Sequence, residues 1–307
     1  MKIHLALSAA IFALTVSALA RAQEAVGVIT EIKLNRGDVQ IRLPGKNWEK
    51  PALLQSLYAG TQIQATKDAR AVVLYTDSAK TATIDEKNSP FEVKAANGKG
   101  GGGVKEAAAS LMGKKKPAVY VPLAVRGGKR PPVLLAPRNT KLMTDAPTLQ
   151  WMGMERQPGN VRVYGPEGVL WSAENISLTQ IKYPPSAPRL KPGVEYTWLI
   201  EKKDAPAEKV RFQLLAPAEA KAVEKDLASL RSVSGVSKTT EAVLQAGLLA
   251  SRELYYDARE VLSEAVKADP DEPTLHFLLG DVYEKTGLKE LASEEYSEAD
   301  FLLKQRQ

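Results

Sequence analysis

The chain has 307 residues, 44% hydrophobic and 25% charged, with a net charge of +6 and no cysteine. That length suits two or three domains, and that balance suits a globular chain rather than a disordered one. The lack of cysteine excludes disulfides, thiolate nucleophiles, cysteine zinc sites and lipid attachment through a thiol.

Residues 1–22 read as an export signal. Lys2 gives a positive start, Leu5 to Leu19 is nearly all apolar, and Ala20-Arg21-Ala22 is a small-x-small cleavage site that makes Gln23 the mature start. The apolar run is shorter than the roughly 20 residues a membrane span needs. The expected location is therefore periplasmic or extracellular, with no membrane span in the mature chain. The alternative is an uncleaved anchor.

Residues 23–95 read as short strands. "VGVITEIKL" and "GDVQIRL" alternate apolar and polar residues on either side of Asn35-Arg36-Gly37, a hairpin turn. "GTQIQA", "ARAVVLYTD", "KTATID" and "PFEVKA" follow, separated by residues with turn chemistry. The expected inward set is Val28, Ile32, Val39, Ile41, Ile63, Val72, Leu74, Ile84, Phe91 and Val93. Gly60-Thr61-Gln62-Ile63, the stretch from Ala71 to Asp77, and Asn88-Ser89-Pro90-Phe91-Glu92-Val93 carry a resemblance to the FecR-like domain. Two departures stand out. Asp77-Ser78-Ala79 replaces that family's Asp-Gly-Ser turn, and its later strand survives only as Val125-Arg126-Gly127-Gly128, which would extend the domain to about residue 128.

Residues 96–131 form a Gly/Lys/Pro-rich linker. Five glycines between Gly98 and Gly103 make a flexible tether, and "VKEAAASLMGKKK" allows one or two helical turns. The charge is concentrated here. Eleven Lys/Arg lie between residues 94 and 143 against one acid, Glu106. Tyr120 is the only aromatic in that stretch, which with export argues against nucleic acid. Lys114, Lys115 and Lys116 have two readings: a solvated hinge, or a dock for anionic envelope polymer or lipid headgroups. Each lysine near an anionic surface adds about 1 kcal/mol before salt screening.

Residues 132–216 form a second β unit. "PPVLLAPRNTKL", "PTLQWM", "NVRVYGPEGVLWSAE", "TQIKYP", "VEYTWLIEKK" and "KVRFQLL" are strands at sandwich spacing, with a tight turn at Gly165-Pro166-Glu167-Gly168. Trp151, Trp171 and Trp198 fall at apolar-face positions and read as packing between two sheets; sugar-binding platforms are the alternative. The segments around "LAPRNTKL", "PTLQW" and "PGVEYTWLI" resemble immunoglobulin-like or fibronectin type III-like modules.

Residues 217–307 are helical. A helix over 217–231 sets Val223, Leu227 and Leu230 on one face. An internal repeat follows at about 239–272 and 273–306. Ala246 aligns with Gly280, Leu249 with Tyr283, Ala258 with Ala292, Leu262 with Tyr296 and Ala265 with Ala299, a period of 34 residues. Leu279-Gly280, Tyr283, Ala292, Tyr296 and Ala299 resemble the tetratricopeptide pattern. That resemblance implies a groove for a protein ligand, lined here by Thr240, Val243, Gly247, Thr274, Phe277 and Asp281. Leu244 and Leu278 stand where the carboxylate-clamping subclass has asparagine, which argues against capture of a C-terminal carboxylate. Two repeats are fewer than the three that usually make a stable stack. At least one of Phe301, Leu302 and Leu303 is expected to face outward and favour a partner or self-association.

The expected fold class is thus multidomain: an all-β FecR-like domain, an immunoglobulin/fibronectin III-like β-sandwich and an α-helical tetratricopeptide solenoid. No catalytic residue, cofactor or metal site is expected. His276 is the one histidine left after export and aligns with Ala242 at a packing position, and a catalytic or zinc role would need partners of the usual kinds. Asp269, Asp271 and Glu272 read as turn residues, and Glu294, Glu295 and Glu298 as a solvated helix face, with no carboxylate pair singled out for glycosidic chemistry. The leading expectation is a non-catalytic exported envelope adaptor that binds protein partners. The alternatives are a glycan- or peptidoglycan-binding protein and a FecR-type periplasmic signalling component, although the membrane span and cytoplasmic segment of those regulators have no counterpart here.

Overall fold

The structure is a computed structural model and describes residues 24–78, 80–95, 101–114, 131–154, 157–203, 206–233 and 235–304. The export signal, Lys115, Lys116 and residues 125–128 lie outside them. The first β unit contains β1 (Gly27–Lys33), β2 (Val39–Arg42), β3 (Ser56–Leu57), β4 (Gln62–Ala65), β5 (Arg70–Tyr75), β6 (Thr81–Ile84) and β7 (Phe91–Glu92). They form two antiparallel sheets, β3-β1-β5-β6 and β2-β4-β7, around Ile29, Ile32, Val39, Ile41, Ile63 and Val73. The hairpin expected at Asn35-Arg36-Gly37 does not form. The chain turns there, with Asn35 at φ +44°, but β1 and β2 enter different sheets. Gly37 lies so close to the Thr66 carbonyl that a Cβ would sit 1.7 Å from its oxygen. The turn is thereby wedged against the β4–β5 connection rather than closing a ladder of its own.

After the first unit comes α1 (Gly102–Leu111). The second β unit contains β8 (Val133–Ala136), β9 (Thr140–Leu142), β10 (Thr148–Met152), β11 (Gly159–Gly165), β12 (Gly168–Ile176), β13 (Gln180–Lys182), β14 (Glu195–Glu201) and β15 (Val210–Leu214). A three-stranded sheet, β13-β10-β8, faces a five-stranded one, β12-β11-β14-β15-β9, whose last pair is parallel. Trp151 and Trp198 fill the space between them, 6.3 Å apart, and the Trp198 indole N–H donates to the Pro137 carbonyl at 2.6 Å. Trp171 is only half-buried and meets Tyr183 edge-on.

The remaining helices are α2 (Pro217–Arg231), α3 (Lys238–Ser251), α4 (Tyr255–Ala268), α5 (Pro273–Thr286) and α6 (Lys289–Lys304). The 34-residue repeat produces two helical hairpins, α3–α4 and α5–α6. Gly280 lets α5 approach α6 closely, since a Cβ there would meet the Tyr296 ring at 2.9 Å and the Ala292 carbonyl oxygen at 3.2 Å.

The expected fold class is overturned. The molecule is a mixed α/β body of four small sheets and six α-helices among the described residues, not two all-β domains followed by a tetratricopeptide solenoid. One core runs through the helices and takes in Val104, Ala107 and Leu111 of α1 together with Val28, Leu54 and Leu74 of the first β unit. The reason is apolar area. Two hairpins leave a face exposed, and covering it is favourable by about 25 cal/mol per Å². The face is filled from within the chain, by α1 and β1, so no open stack of repeats remains. The far end of α6 is likewise used, with Leu303 seated on the core of the first β unit. The second β unit grips the other end of α5, where Arg138 Nε (2.8 Å) and Asn139 Nδ2 (3.1 Å) both donate to the Thr286 carbonyl. A cationic donor at a helix C-terminus also opposes the negative end of the helix dipole.

Candidate functional site

The densest group of buried polar side chains lies where β1 meets the N-termini of α3 and α5. All but the last residue of β1 are buried, including Thr30 and Glu31. Glu31 is held by two hydroxyls from α3: that of Ser237, its N-cap, and that of Thr240 at 2.5 Å. Thr240 has one hydroxyl hydrogen, so the 3.0 Å contact with Thr30 Oγ1 is donated by Thr30, whose own hydrogen is shared with the Val72 carbonyl at 3.4 Å. The order of donation is thus Thr30 to Thr240 to Glu31, running from strand to helix and back. Glu272 is the N-cap of α5. Its Oε1 accepts from Thr274 N at 3.2 Å and from Ile32 N of β1 at 3.3 Å. Beside it, Lys33 Nζ contacts both carboxylate oxygens of Asp269 at 2.6 Å. Both side chains, Glu31 and Glu272, therefore sit at positive helix ends, which offset part of the cost of burying a negative charge.

His276 is packed and fully engaged. Nδ1 meets Glu295 Oε2 at 2.7 Å and Nε2 meets the Pro270 carbonyl at 2.9 Å. Both partners are acceptors, so satisfying both requires a hydrogen on each ring nitrogen, which is the imidazolium. Burial opposes that charge, but the Glu295 bond, the Pro270 bond and the charges of Glu295 and Glu298 outweigh it, and the pKa lies above the ordinary histidine value. In that protonated form the ring has no lone pair for a metal or a substrate proton. Among the described residues no group of three or more His, Asp or Glu is placed to hold a metal ion.

The residues expected to line a ligand groove lie inside the body. Thr240 and Thr274 belong to the β1 junction, Val243 is fully buried and Phe277 packs against Tyr296 at 5.5 Å. Gly247 faces α1: Ser110 Oγ donates to its carbonyl at 2.8 Å, and a Cβ would meet Ser110 Oγ at 2.9 Å and the Ala107 carbonyl oxygen at 3.1 Å. Asp281 pairs with Lys114, so that lysine is committed to an internal contact. Arg252 clamps the other side of α1 by bonding Glu106 and Asp226 together. Of the three apolar residues at the end of α6, Phe301 is exposed at 45%, Leu302 is buried, and Leu303 borders an apolar cleft of about 240 Å³ with Ile32, Leu34, Val39 and Pro51.

Sequence reasoning missed the β1 junction. The expected inward set on β1 is Val28 and Ile32, without Thr30 or Glu31, and Glu272 reads as a turn residue. One signal was present in the sequence: Ser237 and Glu272 each stand directly before a helical pattern, as N-caps do. The surface also carries apolar residues outside the expected sites. Met152, Val169 and Leu178 are 43%, 57% and 64% exposed. The Trp151 N–H bond to Thr179 O continues the β10–β13 register one step, which puts Met152 beside Leu178 on the outer face. No protein-family model matches the chain, and no curated protein matches it.

Proposed function

We propose that the chain is a non-catalytic scaffold of the cell envelope, exported by residues 1–22, that holds a protein partner on its second β unit. The observation that carries this reading is the exposed pair Met152 and Leu178, with Val169 on the same unit. Adjacent apolar side chains left in water on a well-packed sheet favour a protein contact over open solvent. The interlocked interior supports it too, because shared cores and buried polar junctions fix one surface relative to another. Strand addition at the edge strand β12 is disfavoured. Register shifts at both ends of its pairing with β11, together with Glu174, blunt that edge. The aromatics do not favour a sugar platform. Trp151 and Trp198 are buried, and Arg42 covers one face of the Trp48 ring.

The test is a photo-crosslinking residue placed at Leu178 in the full chain, in cells, followed by mass spectrometry. A discrete protein adduct that disappears in a Met152→Asp background supports the proposal. Adducts only to sacculus fragments would replace it with a glycan-binding role. Turnover of an envelope polymer, abolished by a single carboxylate-to-amide change, would replace it with a hydrolase.

A further inference from the structure

The contact between β1 and the helices depends on a carboxyl group that water does not reach. Glu272 is fully buried and gives one oxygen to two backbone amides, one on the strand and one on the helix. Its other oxygen has no hydrogen-bond partner. A carboxylate charge with a bare oxygen in such a site is costly, and protonation removes that charge. The surrounding elements supply the rest of the electrostatics. From β1 come Glu31 and Lys33; the end of α4 and the turn after it add Asp269 and Asp271. The N-terminus of α3 offers the hydroxyls of Ser237, Thr239 and Thr240, and α5 offers His276, turned towards Glu295 and Pro270.

We propose that this seam is a proton-operated latch. It is closed with Glu272 protonated, and opening it releases that proton to solvent, so rising pH favours β1 parting from α3 and α5. Burial, the strongest influence, pushes the Glu272 carboxyl from 4.5 up to about 8; the Thr274 and Ile32 bonds pull it down, and the Glu31 charge pushes it further up. The folded state therefore keeps a proton that the opened state gives up. The stabilisation is complete below 4.5 and is lost as pH rises to about 8. Within that window each pH unit makes opening about tenfold easier.

Hydrogen exchange on the full chain, corrected for the intrinsic rate, reads the latch directly. Between pH 5.5 and 7.5, wild-type protection of the Ile32 and Thr274 amides, which Glu272 holds, is expected to fall about tenfold per unit while β11 and β14 change little. Glu272→Gln keeps an acceptor for both amides and cannot ionise, so protection of its Ile32 amide should be flat over the same range, with only the decline due to His276 left in α5. Glu31→Gln should end the decline at a lower pH, because the neighbouring charge is gone. A wild type with flat protection, or a Glu272→Gln variant that declines in step with it, overturns the latch. If Glu272→Gln does not fold, Thr30→Cys with Thr240→Cys serves instead in a chain that has no other cysteine. The oxidised form should hold its protection while the reduced form loses it, and equal behaviour overturns the proposal.

Discussion

At the scale of single residues, His276 shows how one side chain is assigned a role by its partners. A ring that donates from both nitrogens fixes the turn before α5, through Pro270, to α6, through Glu295. Its folded pKa is raised, so its stabilisation is present below the unfolded value of 6.5 and is lost as pH climbs through the folded value. His276→Phe leaves the part-buried Glu295 carboxylate and the Pro270 carbonyl without this donor. Hydrogen bonds to charged groups contribute about 1.5–3 kcal/mol each, so the variant should lose about 2 kcal/mol at pH 6 and less at pH 9. Urea unfolding at the two pH values checks this, and partner capture at Leu178 should be unchanged. Equal losses at both pH values would mean that the neutral ring is the native form.

At the scale of elements, α1 is the piece that most changes the architecture. Ten residues are too few to hold a helix in water without tertiary contacts. It forms because Val104, Ala107, Ala108 and Leu111 bury one face, and because small residues let α3 come close. Gly247→Leu should therefore expel it. Overpacking costs about 1–3 kcal/mol, and the expected signature is loss of exchange protection over residues 102–111 with α4 and α6 unaffected. Retained protection in α1 would mean that α3 yields instead. This element also marks the limit of the sequence reading. Period-2 and period-3.6 patterns announced most strands and the helical hairpins, and the 34-residue spacing matched Gly280 with Ala246 and Tyr296 with Leu262. Those signals say which face of an element is apolar and nothing about which element covers it. Thr30 and Glu31 stand outside the expected core because polar residues seldom lie inside, and helix N-termini offering hydroxyl donors are a partner that periodicity does not encode. A helix in a glycine- and lysine-rich stretch has the same difficulty: its stability resides in α3, more than a hundred residues away.

At the scale of the whole molecule, the shared interior has a thermodynamic consequence. A string of separate domains would melt in separate steps, each with its own midpoint. Here the helices share a core with the first β unit and grip the second through Thr286, Glu253 and Tyr256. Parting any unit strands buried polar groups on both sides, so partial unfolding brings the desolvation cost without the chain entropy of full unfolding. One cooperative transition is therefore expected. Thr240→Val tests it, because it removes the hydroxyl that links Thr30 to Glu31 while keeping the side chain's shape. The lost bonds should cost about 1–3 kcal/mol. Bodies of 150–250 residues shift by about 2–4 °C per kcal/mol, and this larger one should shift somewhat less. Helix ellipticity reports the α3–α6 region, and in a Trp48→Phe background the emission of Trp151, Trp171 and Trp198 reports the second β unit, which Thr240 does not touch. Both midpoints should fall together and by the same amount. If the helical signal moves while the buried indoles melt where they did before, the second β unit is thermodynamically separate and the interlocked scaffold fails at that seam.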